Sequence, residues 1–162
     1  YMKLSLDANL LPKTHAAGGT ADIVYEYNRN EEYPEHKVLL EATLTESTSQ
    51  RKNEMEPVSR HLMREIQEND NDDTYAVFVA NILQEEVLSD FRSRKNYQFR
   101  SKNSVNTGLK IISLSIQDII KLINVKVQYS KLYGIFETAY KDTEINDLEW
   151  YEKLIKNKVN NL

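Results

Sequence analysis

Cysteine is absent from all 162 positions, which excludes disulfides, a thiolate zinc site and cysteine nucleophiles. A reducing, cytoplasmic setting is the expectation that fits. No apolar run approaches the roughly 20 residues that a bilayer crossing requires, and the opening residues Tyr1-Met2-Lys3-Leu4-Ser5-Leu6-Asp7 are too short and polar for a secretory signal. There is no glycine-rich phosphate loop and no nucleophile elbow. Three scattered histidines do not make a zinc site.

What is present suits one globular domain, with 40% hydrophobic and 28% charged residues. The formal net charge of −4 argues against a free-standing nucleic-acid binder. Phosphate attraction is local, however, because salt screens charge over about 10 Å. Residues 92–102 (RSRKNYQFRSK) carry Arg92, Arg94, Lys95, Arg100 and Lys102 with no acid among them. These five are candidate DNA-phosphate contacts, with Tyr97 and Phe99 as packing or stacking partners. A solvated basic loop is the competing reading.

Hydrophobic periodicity lays out the elements. Residues 1–12 read as an extended entry, and the paired Gly18-Gly19 as a flexible loop. Residues 21–27 and 37–45 read as strands joined by a polar turn that contains Pro34. From Glu46 the period becomes helical. Gln50, Glu54, Pro57 and His61 fall on one stripe, and Leu62 and Ile66 continue the apolar face. Pro57 is expected to kink or restart that helix. A buried strand over 74–79, a helix over 81–91 and a strand over 109–114 follow. Ser115 caps a helix over 116–125, with Ile119, Ile120 and Ile123 inward. Helices that bury Leu132, Phe136, Trp150 and Leu154 complete the chain. The order predicts an α/β fold, a mixed central β-sheet flanked by α-helices, with a helical C-terminal part.

The chemistry concentrates between Asp22 and His61. Glu41 follows Asp22 by nineteen positions, each acid on its own strand, and residues 41 and 43 share a face. Neighbouring strands that set Asp22 beside Glu41 crowd like charges. A divalent cation bound by carboxylates and a backbone carbonyl, that of Ala42, relieves the repulsion. Such an ion can lower the pKa of water and neutralise phosphate charge. Glu54 is placed to hold metal or assist the attacking water, and Gln50 to fix that geometry. Arg60 and His61 are candidates for phosphate and water contacts. Taken singly, each of these residues is as readily a surface or structural group.

Together, ADIVYEY, LLEATLT and SQRKNEMEPVSRHL resemble the cleavage domain of the AlwI and MlyI group of type IIS restriction and nicking endonucleases. That group belongs to the PD-(D/E)xK nuclease superfamily, with the FokI cleavage domain as a more distant member. The resemblance is dense from His15 to Leu62 and thins beyond Thr74. It implies a restriction-endonuclease-like fold and hydrolysis of DNA phosphodiesters with Mg2+ (or Mn2+). Asp22 and Glu41 take the positions of the metal-binding acids, and Ala42 that of the spacer. Thr43 stands where the superfamily usually has lysine, and the group's helix glutamate maps onto Glu54. Gln50 and Arg60-His61-Leu62 also match.

By this analogy residues 1–162 form a single cleavage domain, without the N-terminal domain that reads the DNA site. Expected partners are double-stranded DNA, a recognition domain or subunit supplied elsewhere, and a transient homo- or heterodimer, in a bacterial cytoplasm and with no membrane association. A non-catalytic DNA-binding or assembly module of the same fold, and a structure-directed DNA-repair nuclease, are the alternatives.

Overall fold

The apolar run Tyr75–Ala80, aromatic and β-branched at four of its positions, is buried throughout, and the sheet is built outward from it. The computed structural model describes residues 2–4, 21–44, 49–102 and 104–162, with the side chains of 2–4 and 49–54 outside the description. The expected Gly18-Gly19 loop, most of the extended entry and Thr45 therefore lie outside the described residues. In chain order the elements begin β1 (Met2–Leu4), β2 (Ile23–Tyr27), β3 (His36–Thr43), α1 (Ser49–Asn69), β4 (Tyr75–Ala80) and α2 (Glu85–Ser93). After a 3-10 turn at Arg94–Asn96 come β5 (Gln98–Arg100), β6 (Val105–Thr107), β7 (Lys110–Ser115), α3 (Ile116–Asn124) and α4 (Tyr129–Lys141). The last segment is α5 (Asp147–Trp150), a π-helical stretch (Tyr151–Lys156) and α6 (Asn157–Asn160).

The principal sheet has the order β1-β2-β3-β4-β7. Pairing is antiparallel across β1-β2-β3 and parallel across β3-β4-β7, so the sheet is mixed. The two-residue period of β4 divides the core. Tyr75, Val77 and Val79 face α4 and the C-terminal helices, where Phe136 and Trp150 are buried. Ala76, Phe78 and Ala80 face α1 and α2. Each fully buried aliphatic or aromatic side chain on these faces stabilises the fold by roughly 1.5–3 kcal/mol.

Val58, Leu62 and Ile66 recur every four residues along α1 and are all buried against the sheet. Contrary to the expected restart, α1 runs through Pro57. The packed stripe on the following turns holds the helix together past the missing N–H.

Three further expectations are corrected. The second helix begins at Glu85 and not at 81, leaving Ile82 48% exposed. Its first turn holds Glu85 and Glu86, which favour a helix N-terminus there. In α3, Leu122 is buried and Ile119 partly so, while Ile120 and Ile123 point outward. This helix is apolar on most sides, and the sheet covers one stripe of it. Residues 98–100 and 105–107 form an antiparallel hairpin, β5 paired with β6, where the basic run read as a solvated loop. Its strands are three residues long and only Phe99 is buried, so periodicity gives no warning of it. Ser115 does cap α3, in a reciprocal capping box with Asp118.

Candidate active site

Antiparallel pairing of β2 with β3 sets Val24 opposite Leu39 and Ile23 opposite Leu40. Asp22 occupies the bend just before this ladder begins, next to the strand end that carries Glu41. Val24 and Leu39 both pack toward α1, so the two-residue period turns Glu41 to that face, while Asp22, in the bend before β2, lies close enough to His61 to pull its pKa upward. Asp22 Oδ2 accepts the backbone N–H of Ala42 at 2.8 Å, closing the strand pair beyond its last ladder position. A strand residue sends its N–H and C=O to the same side, so the Ala42 carbonyl also opens toward Asp22.

Glu41 lies in the middle of the sheet, level with Phe78 of β4, and is only 8% exposed. Its Oε1 is 2.7 Å from His61 Nδ1, and His61 is itself 9% exposed beneath α1. Burial is the main force pressing the His61 pKa below its ordinary 6.5, and Arg60 acts the same way against the opposing pull of Asp22 and Glu56. At neutral pH the imidazole is therefore neutral, with Nδ1–H donating to the carboxylate. Its Nε2 is buried and has no hydrogen-bond partner among the described residues. A buried ring nitrogen with a free lone pair is a ready acceptor for a water or a ligand.

The remaining expected residues divide. Thr43 is half-buried at the end of β3, on the Glu41 face. Gln50 and Glu54 belong to α1, but their side chains lie outside the described residues. Arg60 is exposed beside His61, 3.4 Å from Glu56. Among the described residues no group of three His, Asp or Glu side chains is disposed to hold a metal ion. Asp22 and Glu41 form a pair of hard oxygen donors, and any third donor from Glu54 is outside that set.

The basic run does not act as one patch. Contrary to the expected phosphate contact, Arg92 is 7% exposed and bound to Asp142 at 3.0 Å and Asp147 at 2.9 Å, with its guanidinium over the Trp150 ring. Arg94 is held by Asp90 and Lys95 by the Asp142 carbonyl, so their charges are also engaged within the chain. Arg100 and Lys102 are exposed on the hairpin and have no ion-pair partner among the described residues. That hairpin meets the last turn of α1, through Gln67 to the Arg100 carbonyl and Ser101 to Asp70. It therefore sits toward the end of α1 remote from Glu41.

Sequence reasoning missed the Asp22–Ala42 latch and the direct Glu41–His61 bond. The one available signal for the second was His61 adjoining Leu62 on the inward stripe of α1.

The mixed sheet thus carries one buried acid bonded to a histidine of the helix above it, with a second acid at the adjoining strand end. Residues 1–122 match the family model "AlwI restriction endonuclease", and the chain belongs to that family. The fold is similar to that of the small subunit (R.BspD6I2) of the heterodimeric restriction endonuclease R.BspD6I. That likeness has a TM-score of 0.64 at 19% identity and covers 100% of this chain and 80% of the other. No curated protein matches the chain. Among the described residues no helix is long and apolar enough to cross a membrane.

Proposed function

We propose that this chain is a metal-dependent endonuclease domain that hydrolyses DNA phosphodiesters as the cleavage part of a type II restriction or nicking enzyme. The observation that carries the reading is the buried Glu41–His61 pair at the end of the β2–β3 ladder, with the Asp22 carboxylate on the adjoining Ala42 N–H. The donor chemistry fits a small hard cation such as Mg2+ or Mn2+, which prefers carboxylate and carbonyl oxygen. Asp22, Glu41, the Ala42 carbonyl and Glu54 are the residues that would hold it. When bound, such an ion supplies Lewis-acid stabilisation of the charge that builds on the phosphate.

The chain's own groups supply position and proton handling. His61 donates to Oε1 of Glu41 and so fixes the orientation of the carboxylate. Its Nε2, without a partner among the described residues, accepts a hydrogen bond from a water or from the substrate. Glu54, with Gln50, is assigned to orienting the attacking water in line with the scissile bond. Thr43 leaves no cation at the position where the superfamily usually has lysine. Cleavage by this route leaves a 5′-phosphate and a 3′-hydroxyl. Arg60 beside the site, and Arg100 and Lys102 on the hairpin, are the proposed phosphate contacts.

A single site cuts one strand, so a double-strand break requires a second copy or a second subunit. The neighbouring fold belongs to a subunit of a heterodimer, which supports the need for a recognition partner.

The test is nicking of supercoiled plasmid with Mg2+ or Mn2+, beside calorimetric Mn2+ titration. Glu41→Ala and Asp22→Asn are expected to abolish both. Wild-type cleavage by Glu41→Ala overturns the assignment. Absence of both metal binding and cleavage in the native chain points to the assembly-module alternative.

A further inference from the structure

The outward face of α3 carries an apolar patch that nothing in the proposed nuclease chemistry uses. Ile123 is 68%, Ile120 45% and Val125 40% exposed, within six residues of chain. Two isoleucines and a valine in water within one short stretch are a standing cost to a lone domain, and such patches mark interaction sites. Leu162, also exposed, lies nearby, because α6 packs on α3 and the Lys121 ammonium reaches the Asn160 carbonyl.

The unpaired charge on the segments around this patch is positive. Residues 119–136 contain Lys121, Lys126 and Lys131 and no acid; residues 153–162 contain Lys153, Lys156 and Lys158 and no acid. Lys153 and Lys156 are neutralised by Glu149 and Glu152. Lys126, Lys131 and Lys158 are exposed and have no acidic partner among the described residues. A chain of net charge −4 thus presents a locally positive rim around aliphatic side chains.

We propose that the α3 face docks a second, different polypeptide whose contact segment sets acidic residues around aliphatic ones. Lysines alone would serve a phosphate backbone equally well, but the isoleucines have no use there. An apolar centre with a charged rim is the anatomy of a protein–protein interface, and a rim of one sign selects a partner of the other. The chain's own acidic groove along α2, lined by Glu85, Glu86, Asp90 and Leu148, shows that a second copy could offer similar chemistry. Such a contact would be head-to-tail between unlike faces, which closes into a ring only at particular rotations and otherwise runs on as an open chain of copies, so a distinct partner is the reading adopted.

The experiment places a photo-cross-linking phenylalanine at Ile123 in the full chain, irradiates the cells that encode it, and identifies the joined segment by mass spectrometry. The expected product is a segment of another protein with Asp or Glu flanking Leu, Ile or Val. Its yield should fall at least tenfold with the double substitution Lys126→Glu and Lys158→Glu. A cross-link to a second copy, to nucleic acid, to lipid or to a basic segment overturns the proposal. So does a yield no higher than from the same probe at exposed Asn96, or a yield indifferent to the charge reversal. The readout does not involve Asp22 or Glu41, so it stands or falls apart from the nuclease reading.

Discussion

Glu41 and His61 are twenty residues apart in the chain and 2.7 Å apart at Oε1 and Nδ1, both almost removed from solvent. The bond joins the central strand of the sheet to the helix that crosses it. It fixes the orientation of the carboxylate on which the proposed chemistry depends. Removing the imidazole leaves a buried carboxylate without that donor, a loss of about 1–3 kcal/mol. His61→Ala should therefore lower the urea midpoint and weaken Mn2+ binding together. His61→Gln, which retains a donor, should recover part of the stability. Unchanged stability in His61→Ala would refute the coupling.

Asp22 has two separable roles. As an acceptor it holds the Ala42 N–H; as a charge it is a proposed cation donor. Asp22→Asn keeps an acceptor oxygen and removes the charge, so stability should stay within about 0.5 kcal/mol of wild type. Asp22→Ala should cost about 1 kcal/mol by denaturant titration. Both should abolish Mn2+ binding. Wild-type affinity in Asp22→Asn would remove Asp22 from the donor set.

Arg92 and Arg100, eight positions apart in one basic run, should behave oppositely. Arg92→Met strands Asp142, to which it is bound in a buried pair, and should cost about 3–5 kcal/mol. Arg100→Ala should change stability by less than about 0.5 kcal/mol. If the hairpin meets DNA, the double variant Arg100→Ala, Lys102→Ala should reduce the slope of log affinity against log salt by about 2. Fluorescence anisotropy over a salt series measures it, and an unchanged slope removes the hairpin from the DNA contact.

Gly108 adopts φ +97°, and a Cβ there would collide with the Tyr140 hydroxyl and stand 3.0 Å from the Lys95 carbonyl. Gly108→Ala should destabilise by about 1–3 kcal/mol, combining the left-handed backbone with the clash. Adding Tyr140→Phe should recover only part, since the backbone conformation and the carbonyl remain. Full recovery would show that the hydroxyl was the sole obstacle.

Stability should fall in mildly acidic solution. His36 is buried, bonded to the Pro34 carbonyl and the Tyr129 hydroxyl, and its pKa is lowered from 6.5 chiefly by burial. The unfolded chain therefore takes up this proton at a pH where the folded one does not. Unfolding free energy is flat above about 6.5 on this account and declines below it, until the folded histidine also protonates. His61 is shifted in the same direction. His36→Gln should therefore make the decline shallower without abolishing it. An identical pH slope in wild type and variant, by denaturant titration between about pH 5 and 7, would refute the assignment.

The sequence by itself determined the elements whose signal is local. Alternation over Ile23–Tyr27 and the apolar run of Tyr75–Ala80 specified strands, and Val58, Leu62 and Ile66 specified the inward stripe of α1. It also put the strand that follows Asp22 beside the strand that carries Glu41, because a short polar turn between two strand patterns leaves antiparallel pairing as the economical connection. Only the tertiary structure decided which charges were free and which apolar faces were covered. Arg92 meets Asp142 and Asp147 some fifty residues away, while Arg100, in the same run, meets no acid among the described residues. Ile119 and Ile120 are adjacent in sequence, yet one packs toward the sheet and the other faces solvent. Periodicity is a property of a few consecutive residues, whereas neutralisation and burial depend on what the rest of the chain brings alongside.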